Sequence, residues 1–199
     1  MSKISTWQLD PAHTTIEFAV KHMMFTTVRG RFKNFTGAVV VDEDDPNKSK
    51  VDVEIDVSSL DTGVPDRDAH LRSADFFDAE THPKLTFRTS RVSGAVGPSA
   101  KPGHQFKVNG ELTIRGKSMP VDLSVTFAGI GKDPWGKQRA GFNAEGQIDR
   151  REWGLQWNQA LETGGVLVGN SVKIEIEAQA VNDGAETQLA GASSDTANA

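Results

Sequence analysis

Apolar and polar residues alternate with a period of two along most of the chain, the pattern of strands that keep one face in water. Ile16, Phe18 and Val20 share one face, with Glu17 and Lys21 on the other. Val51, Val53, Ile55 and Val57 alternate with Asp52, Glu54 and Asp56. Unpaired buried carboxylates are costly, so that acidic face must meet water and its opposite a core. The rhythm returns at Leu85 and Phe87, at Phe106 and Val108 with Leu112 and Ile114, and at Val121, Leu123, Val125 and Phe127. It returns again at Phe142, Ala144 and Ile148, and at Val172, Ile174 and Ile176. With a further strand near residues 32–41, the pattern predicts about eight strands.

The breaks carry turn chemistry. Arg115-Gly116-Lys117-Ser118 lies between two alternating runs and is expected to close a hairpin. Residues 44–47 and 132–136 are Asp- and Pro-containing links. Residues 94–103, with Pro98 and Pro102, read as a longer, mobile hairpin loop. One stretch breaks the rhythm: residues 66–72 are good helix formers, with Asp66 as the expected N-cap and Phe76 and Phe77 packing just after. From Asp183 onward the chain turns to Ala, Gly, Ser, Thr, Asp and Asn, a composition that cannot offset its ordering entropy. Residues 1–182 are therefore expected to form one domain and residues 183–199 a disordered tail. Strands with little helix leave a sandwich or a closed barrel. A barrel removes every edge, and about eight strands is the size whose interior holds one small ligand. An all-β, eight-stranded antiparallel barrel with one short helix is the expected architecture.

Composition narrows the function. Of 199 residues, 22 are basic and 27 acidic, a net charge of -5, whereas a nucleic-acid binder carries a clustered basic surface. There is no cysteine, which excludes disulfides, thiolate metal sites and cysteine nucleophiles. The first residues contain no apolar core of the signal-peptide kind, so a cytoplasmic location is expected. Ten Phe, four Trp and no Tyr mean that most of the large rings bring no hydroxyl to satisfy. Such rings suit a packed core or an apolar pore, and composition alone does not separate the two.

The candidate polar chemistry is sparse. No phosphate-cradling loop or nucleophile elbow is present. His13, His22, His70, His82 and His104 show no helical i, i+4 spacing and no H-x-H pair. A metal-dependent enzyme would need His13, His22, His70 and Asp68 to converge in space. The alternative is that His13, His22, Arg67, Asp68 and His70 pin the helix and strand ends. Arg67-Asp68 and Arg150-Arg151-Glu152 are read as ion pairs that fix loops.

The motifs together resemble one family, the YceI-like or polyisoprenoid-binding proteins. The match opens with Trp7-Gln8-Leu9-Asp10-Pro11-Ala12-His13-Thr14-Thr15-Ile16 and continues through Phe18-Ala19-Val20-Lys21-His22 and Val28-Arg29-Gly30-Arg31-Phe32. Its centre is Arg67-Asp68-Ala69-His70-Leu71-Arg72 with Asp75-Phe76-Phe77-Asp78. Pro83-Lys84-Leu85-Thr86-Phe87, Gly110-Glu111-Leu112-Thr113-Ile114-Arg115-Gly116, Pro120-Val121 and Arg150-Arg151-Glu152-Trp153-Gly154-Leu155 complete it. The resemblance implies a lipocalin-like barrel whose pore holds a polyisoprenoid or similar lipid. It also implies a binding protein rather than an enzyme, without a cofactor, often a homodimer, with at most a transient membrane contact. Many relatives carry a secretion signal that this sequence does not show. A quinone or polyprenyl chain is the expected guest, a fatty acid or acyl amide the alternative.

The expected ligand contacts are the faces opposite the charged ones: Phe18, Val20, Val53, Ile55, Phe87, Phe106, Leu112, Leu123, Val125, Phe142, Ile148 and Ile174. Trp153 and Trp157 are expected to rim one mouth, and Trp153 stands where the family often has Phe, a larger ring that would narrow the pore.

Overall fold

A computed structural model describes residues 3–95, 100–162 and 164–182. The expected tail and part of the expected mobile loop, residues 96–99, lie outside the described residues. In chain order the strands are β1 (Ile4–Leu9), β2 (Thr15–His22), β3 (Thr26–Phe32), β4 (Phe35–Asp42), β5 (Lys50–Asp56) and β6 (Leu60–Asp61). The helix α1 (Pro65–Arg72) follows, then β7 (Lys84–Ser93), β8 (Gln105–Ile114), β9 (Lys117–Lys132), β10 (Gln138–Asp149) and β11 (Val168–Asn182).

These segments make eight antiparallel staves of a closed barrel. Five staves are single strands, β7 to β11, each hydrogen-bonded to the next. The first three staves are each broken in two. β1 and β2 form the first, β3 and β4 the second, β5 and β6 the third, because β1 pairs with β4 while β2 pairs with β3. The single strand expected near residues 32–41 is therefore a stave interrupted at Lys33-Asn34, and Ile4–Leu9 is a strand that the alternation did not reveal.

Closure occurs along β11. Its first part pairs with β2, from Val168 opposite His22 to Glu177 opposite Thr15. Its last part pairs with β1, Gln8 opposite Val181 and Leu9 opposite Ala180. Between them the first stave bends at Asp10-Pro11-Ala12-His13. Asp10 N–H donates to the Gln179 carbonyl at 2.8 Å, and the buried Thr14 hydroxyl donates to the same carbonyl and accepts the Gln179 N–H. The Asp10 carboxylate accepts Ala12 N–H at 3.0 Å and meets His13 Nδ1 at 2.9 Å and Arg139 Nη1 at 2.5 Å. The motif that opens the family resemblance thus serves the bend at the closing seam.

α1 packs under one end. Its N-cap is Val64, with Pro65 in the first turn and no side-chain cap, so Asp66 is not the expected cap. Proline at that place needs no N–H partner and holds the helical φ, which replaces the missing side-chain cap. Asp68 lies buried and accepts both the N–H of Thr62, at 2.9 Å, and its hydroxyl, at 2.5 Å. Arg67 binds the Thr62 hydroxyl and carbonyl, and Arg72 binds the carbonyls of Ser58 and Leu60. The helix is thereby pinned to β6 and its flanks, through Thr62 rather than through an Arg67–Asp68 ion pair.

Two predictions follow from these bonds. Asp68→Ala leaves the Thr62 donors without their acceptor, and chemical denaturation should report a loss of about 1–3 kcal/mol with the strand signal in circular dichroism retained. Hydrogen bonds from His13 and then Arg139 hold the Asp10 carboxyl down to about 2, from an ordinary 3.8. A carboxyl depressed on folding stabilises the protein above its unfolded value, and that contribution is lost as pH falls. Thermal melts between pH 3.8 and about 2 should therefore fall less steeply for Asp10→Asn than for the parent chain.

Candidate binding cavity

The staves enclose a cavity of about 520 Å³. Phe18, Val20, Val53, Ile55, Phe87, Phe106, Leu112, Leu123, Val125, Phe142, Ile148 and Ile174 all line it. Alternation explains why, since Asp52 and Glu54 point to solvent and put Val53 and Ile55 inside. The sequence reading missed other members of the wall, among them Trp7, Leu9, Val39 and Val41 on the broken staves, and Leu71, Phe76 and Phe77 beneath. The lining along β9 runs from Val121 to Ile130, roughly 30 Å of strand. At a tilt of ~40° that is about 23 Å of barrel height, so the cavity is long and narrow.

Its two ends differ. At the end formed by the start of β1, the β4–β5 and β9–β10 turns and the loop before β8, the lining turns polar: Lys3, Ser5, Glu43, Ser49, His104 and Gln138. The exposed members of the lining, Lys3, Ile130 and Gln138, all stand there, which makes it the mouth. The other end is closed. Val57 and Leu60 are almost completely buried, and Phe76, Leu85, Ile114 and Leu155 pack over them.

Trp153 belongs to this closed end and corrects an expectation. Its indole is 2% exposed, its Nε1–H donates to the Leu112 carbonyl at 2.8 Å, and it does not face the cavity. The short helical turn Arg150–Trp153 carries it behind the wall, where a larger ring fills the base instead of narrowing the pore. Trp157 is also no mouth residue, for it lies edge-on to His70 beside Phe76. The expected ion pairing of this segment differs too. Arg151 binds Asp149 instead of Glu152, and that bond holds the Asp149 carboxyl at about 2. Arg150 reaches inward, buried, and donates to the carbonyls of Leu155, Val168 and Gly169. Burial lowers its pKa, against the pull of Asp149.

The wall owes its hollowness to glycines that alternation does not report. A Cβ built on Gly30 would stand 2.3 Å from the tip of the Phe18 ring, and one on Gly110 2.4 Å from that of Phe87. Leu9 lies likewise over Gly37, and Leu123 over Gly146. Phe18 and Gly30 are direct cross-strand partners. With no side chain opposite, each large group lies flat along the wall rather than across the lumen. Glycine inside a strand weakens it and marks a close approach, and that is the signal by which these positions, whose role the sequence reading missed, could have been found.

The titratable candidates do not converge. His13 meets Asp10 at the bend, His70 meets Asp75 at 2.8 Å beneath the barrel, and His22 ends β2. Among the described residues no group of three or more His, Asp or Glu could hold a metal ion.

Comparison with known proteins came to the same family as the motifs. The YceI-like domain matches residues 7–180. A UPF0312 protein of Staphylococcus epidermidis is 38% identical over 177 residues, 88% of this chain and 97% of its own. Another from Pectobacterium carotovorum is 40% identical over 143 residues, 72% of this chain and 71% of its own. Among solved structures, Burkholderia cenocepacia BcnA superposes with a TM-score of 0.70 at 27% identity, covering 86% of this chain and 98% of that one. A polyisoprenoid binding domain from Saccharophagus degradans, implicated in plant cell wall breakdown, shares the fold, with a TM-score of 0.63 at 14% identity over 92% of this chain and 99% of that one.

Gly30→Ala tests the flat-ring geometry. The added methyl meets the free end of the Phe18 ring and, at 2.9 Å, the Thr62 methyl; the ring can swing and should be pushed into the lumen. Overpacking of this kind costs about 1–3 kcal/mol, so the barrel should still fold while uptake of a long apolar ligand weakens. Phe18→Ala in the same chain should restore uptake, measured by fluorescence titration.

Proposed function

The chain belongs to the YceI-like family, and we propose that its barrel carries or sequesters a long-chain isoprenoid lipid of the quinone or polyprenyl type. The observation that carries this reading is the size and lining of the cavity. A space of about 520 Å³ lined almost wholly by apolar side chains offers water few of the polar partners it needs. A wall that reserves such a volume with strand glycines is better explained by a guest than by failed packing. Each buried methylene of that guest gains about 0.8 kcal/mol, and a narrow bore suits a chain over a flat ring system.

The neighbour from Saccharophagus degradans is described as polyisoprenoid-binding, which makes a prenyl chain the first guest to test. The twelve inward positions expected from the sequence would contact it, with Phe106 and Phe142 near the mouth and Leu112 and Ile148 deeper. Binding rather than catalysis fits the polar groups, which are engaged in holding the bend, the helix and the base.

Native mass spectrometry of protein purified from its own host decides among the guests. A retained prenyl lipid supports the proposal, an acyl chain replaces it with fatty-acid or acyl-amide binding, and stoichiometric metal overturns it. Phe106→Arg should abolish uptake of a prenyl lipid, with the barrel still folded because the mouth lets water reach the charge.

A further inference from the structure

The outer face of the barrel is polar: Asp52 and Glu54 on β5, Lys107 and Glu111 on β8, and Asp122 on β9 all stand exposed or at the surface. A wall of this kind lacks the apolar outer band of a membrane-spanning barrel. A lipid leaving the cavity must therefore cross at the mouth, and one lip of the mouth is built differently from the rest.

That lip is the turn between β9 and β10. Trp135 stands at its tip with 82% of its surface in water, and Ile130, which also lines the cavity, is 49% exposed. The indole is presented by a rigid turn. The Asp133 carboxylate accepts the N–H groups of Trp135 and Lys137 at 2.9 and 3.0 Å, and Arg139 Nε at 2.8 Å, while Gly136 N–H donates to the Asp133 carbonyl. Asp133 is thus paired with Arg139, which also binds Asp10, and exposed lysines add positive charge to this lip. Lys132 precedes the tip, and Lys101 lies close by on the loop whose Gly103 N–H binds the Phe127 carbonyl and whose Pro102 approaches Gly129.

The opposite lip, between β4 and β5, is acidic. Glu43, Asp44 and Asp45 stand there with Asp42 buried behind them, Lys3 paired to Glu43, Lys48 paired to Asp45, and Lys50 beyond. The mouth is therefore polarised, basic and aromatic on one side and acidic on the other.

We propose that the β9–β10 lip docks on the surface of a bilayer with anionic head groups, seating Trp135 in the interface and tilting the acidic lip away. Indole is suited to the head-group level, with an apolar body and an N–H for its polar neighbours. The lysines supply the attraction that a neutral surface would lack. Ile130 joins the two regions, since it belongs both to the docking lip and to the cavity wall, so a chain sliding out along it passes into the bilayer without crossing open water. This rests on the lipid-carrying reading, and its test keeps the two apart.

The full chain is sedimented with vesicles of phosphatidylcholine alone and of equal parts phosphatidylcholine and phosphatidylglycerol, and its uptake of Nile red is titrated separately in solution. Co-sedimentation with the anionic vesicles only, weakening as salt is raised, is the expected result. Lys132→Gln should lower that affinity roughly fivefold and Trp135→Ala roughly tenfold, with Nile red uptake unchanged in both. Equal binding to neutral vesicles, no binding to either, or full binding by Trp135→Ala would overturn the docking surface. Loss of Nile red uptake in Trp135→Ala would overturn it as well, by making the indole part of the cavity. A parent chain that binds anionic vesicles but takes up no Nile red would sink the lipid-carrying reading while leaving the docking surface standing.

Discussion

At Gln179 the last strand changes partners, from β2 on one side to β1 on the other, and the two backbone groups of that single residue are bonded to Asp10 and Thr14 across the join. A barrel with a break in its ladder has two open edges, and open edges invite other chains. The first stave must bend to follow a β11 that is 15 residues long, and a bend strips ladder bonds from the residues that make it. The hydroxyl of Thr14 substitutes for the lost backbone partner, and the Asp10 carboxylate ties the bend across β11 to Arg139 on β10. The hollow interior depends on this seam, because a wall with little packed matter behind it is held mainly by its own hydrogen bonds.

The second support is the closed base. Much of the packing that most domains place at their centre sits here at one end, where Val57, Leu60, Phe76, Trp153 and Leu155 are buried together, with a smaller cluster of Trp7, Phe127, Ala140 and Ala180 toward the mouth. α1 is fastened below by Asp68, Arg67 and Arg72, so the base is a small core with its own hydrogen-bonded frame. Above it the glycines keep the bore open. The molecule divides its labour along one axis: stability at the base, access at the mouth.

Much of this was legible in the residues. The acids of β5 fixed which face was inside, and each strand that the alternation revealed followed from its own polar face, because a period of two leaves one choice of face per strand. The breaks in the first three staves were not legible, since a bend such as that at Asp10 is decided by a partner, Gln179, far along the chain. Trp153 was misjudged for a related reason. It follows a strand but lies on a short helical turn, where alternation no longer tells inside from outside, and its partner is a carbonyl on β8. The glycines were visible as residues, yet their purpose depends on a ring across the ladder. Local pattern reports faces, and only pairing reports what fills them.

A bore closed below and open above has consequences for timing. A flexible guest can enter and leave by one route, so it must withdraw its whole length in single file. Departure then slows with every segment that has to re-enter water, while arrival hardly changes, because the first segment to reach the mouth is the same for short and long chains. Length is thereby read as residence time rather than as acceptance or rejection. The height of the wall sets where this reading stops, since segments beyond the mouth remain outside and add nothing to the delay. Such a vessel releases short chains quickly, keeps long ones, and treats all those longer than itself alike.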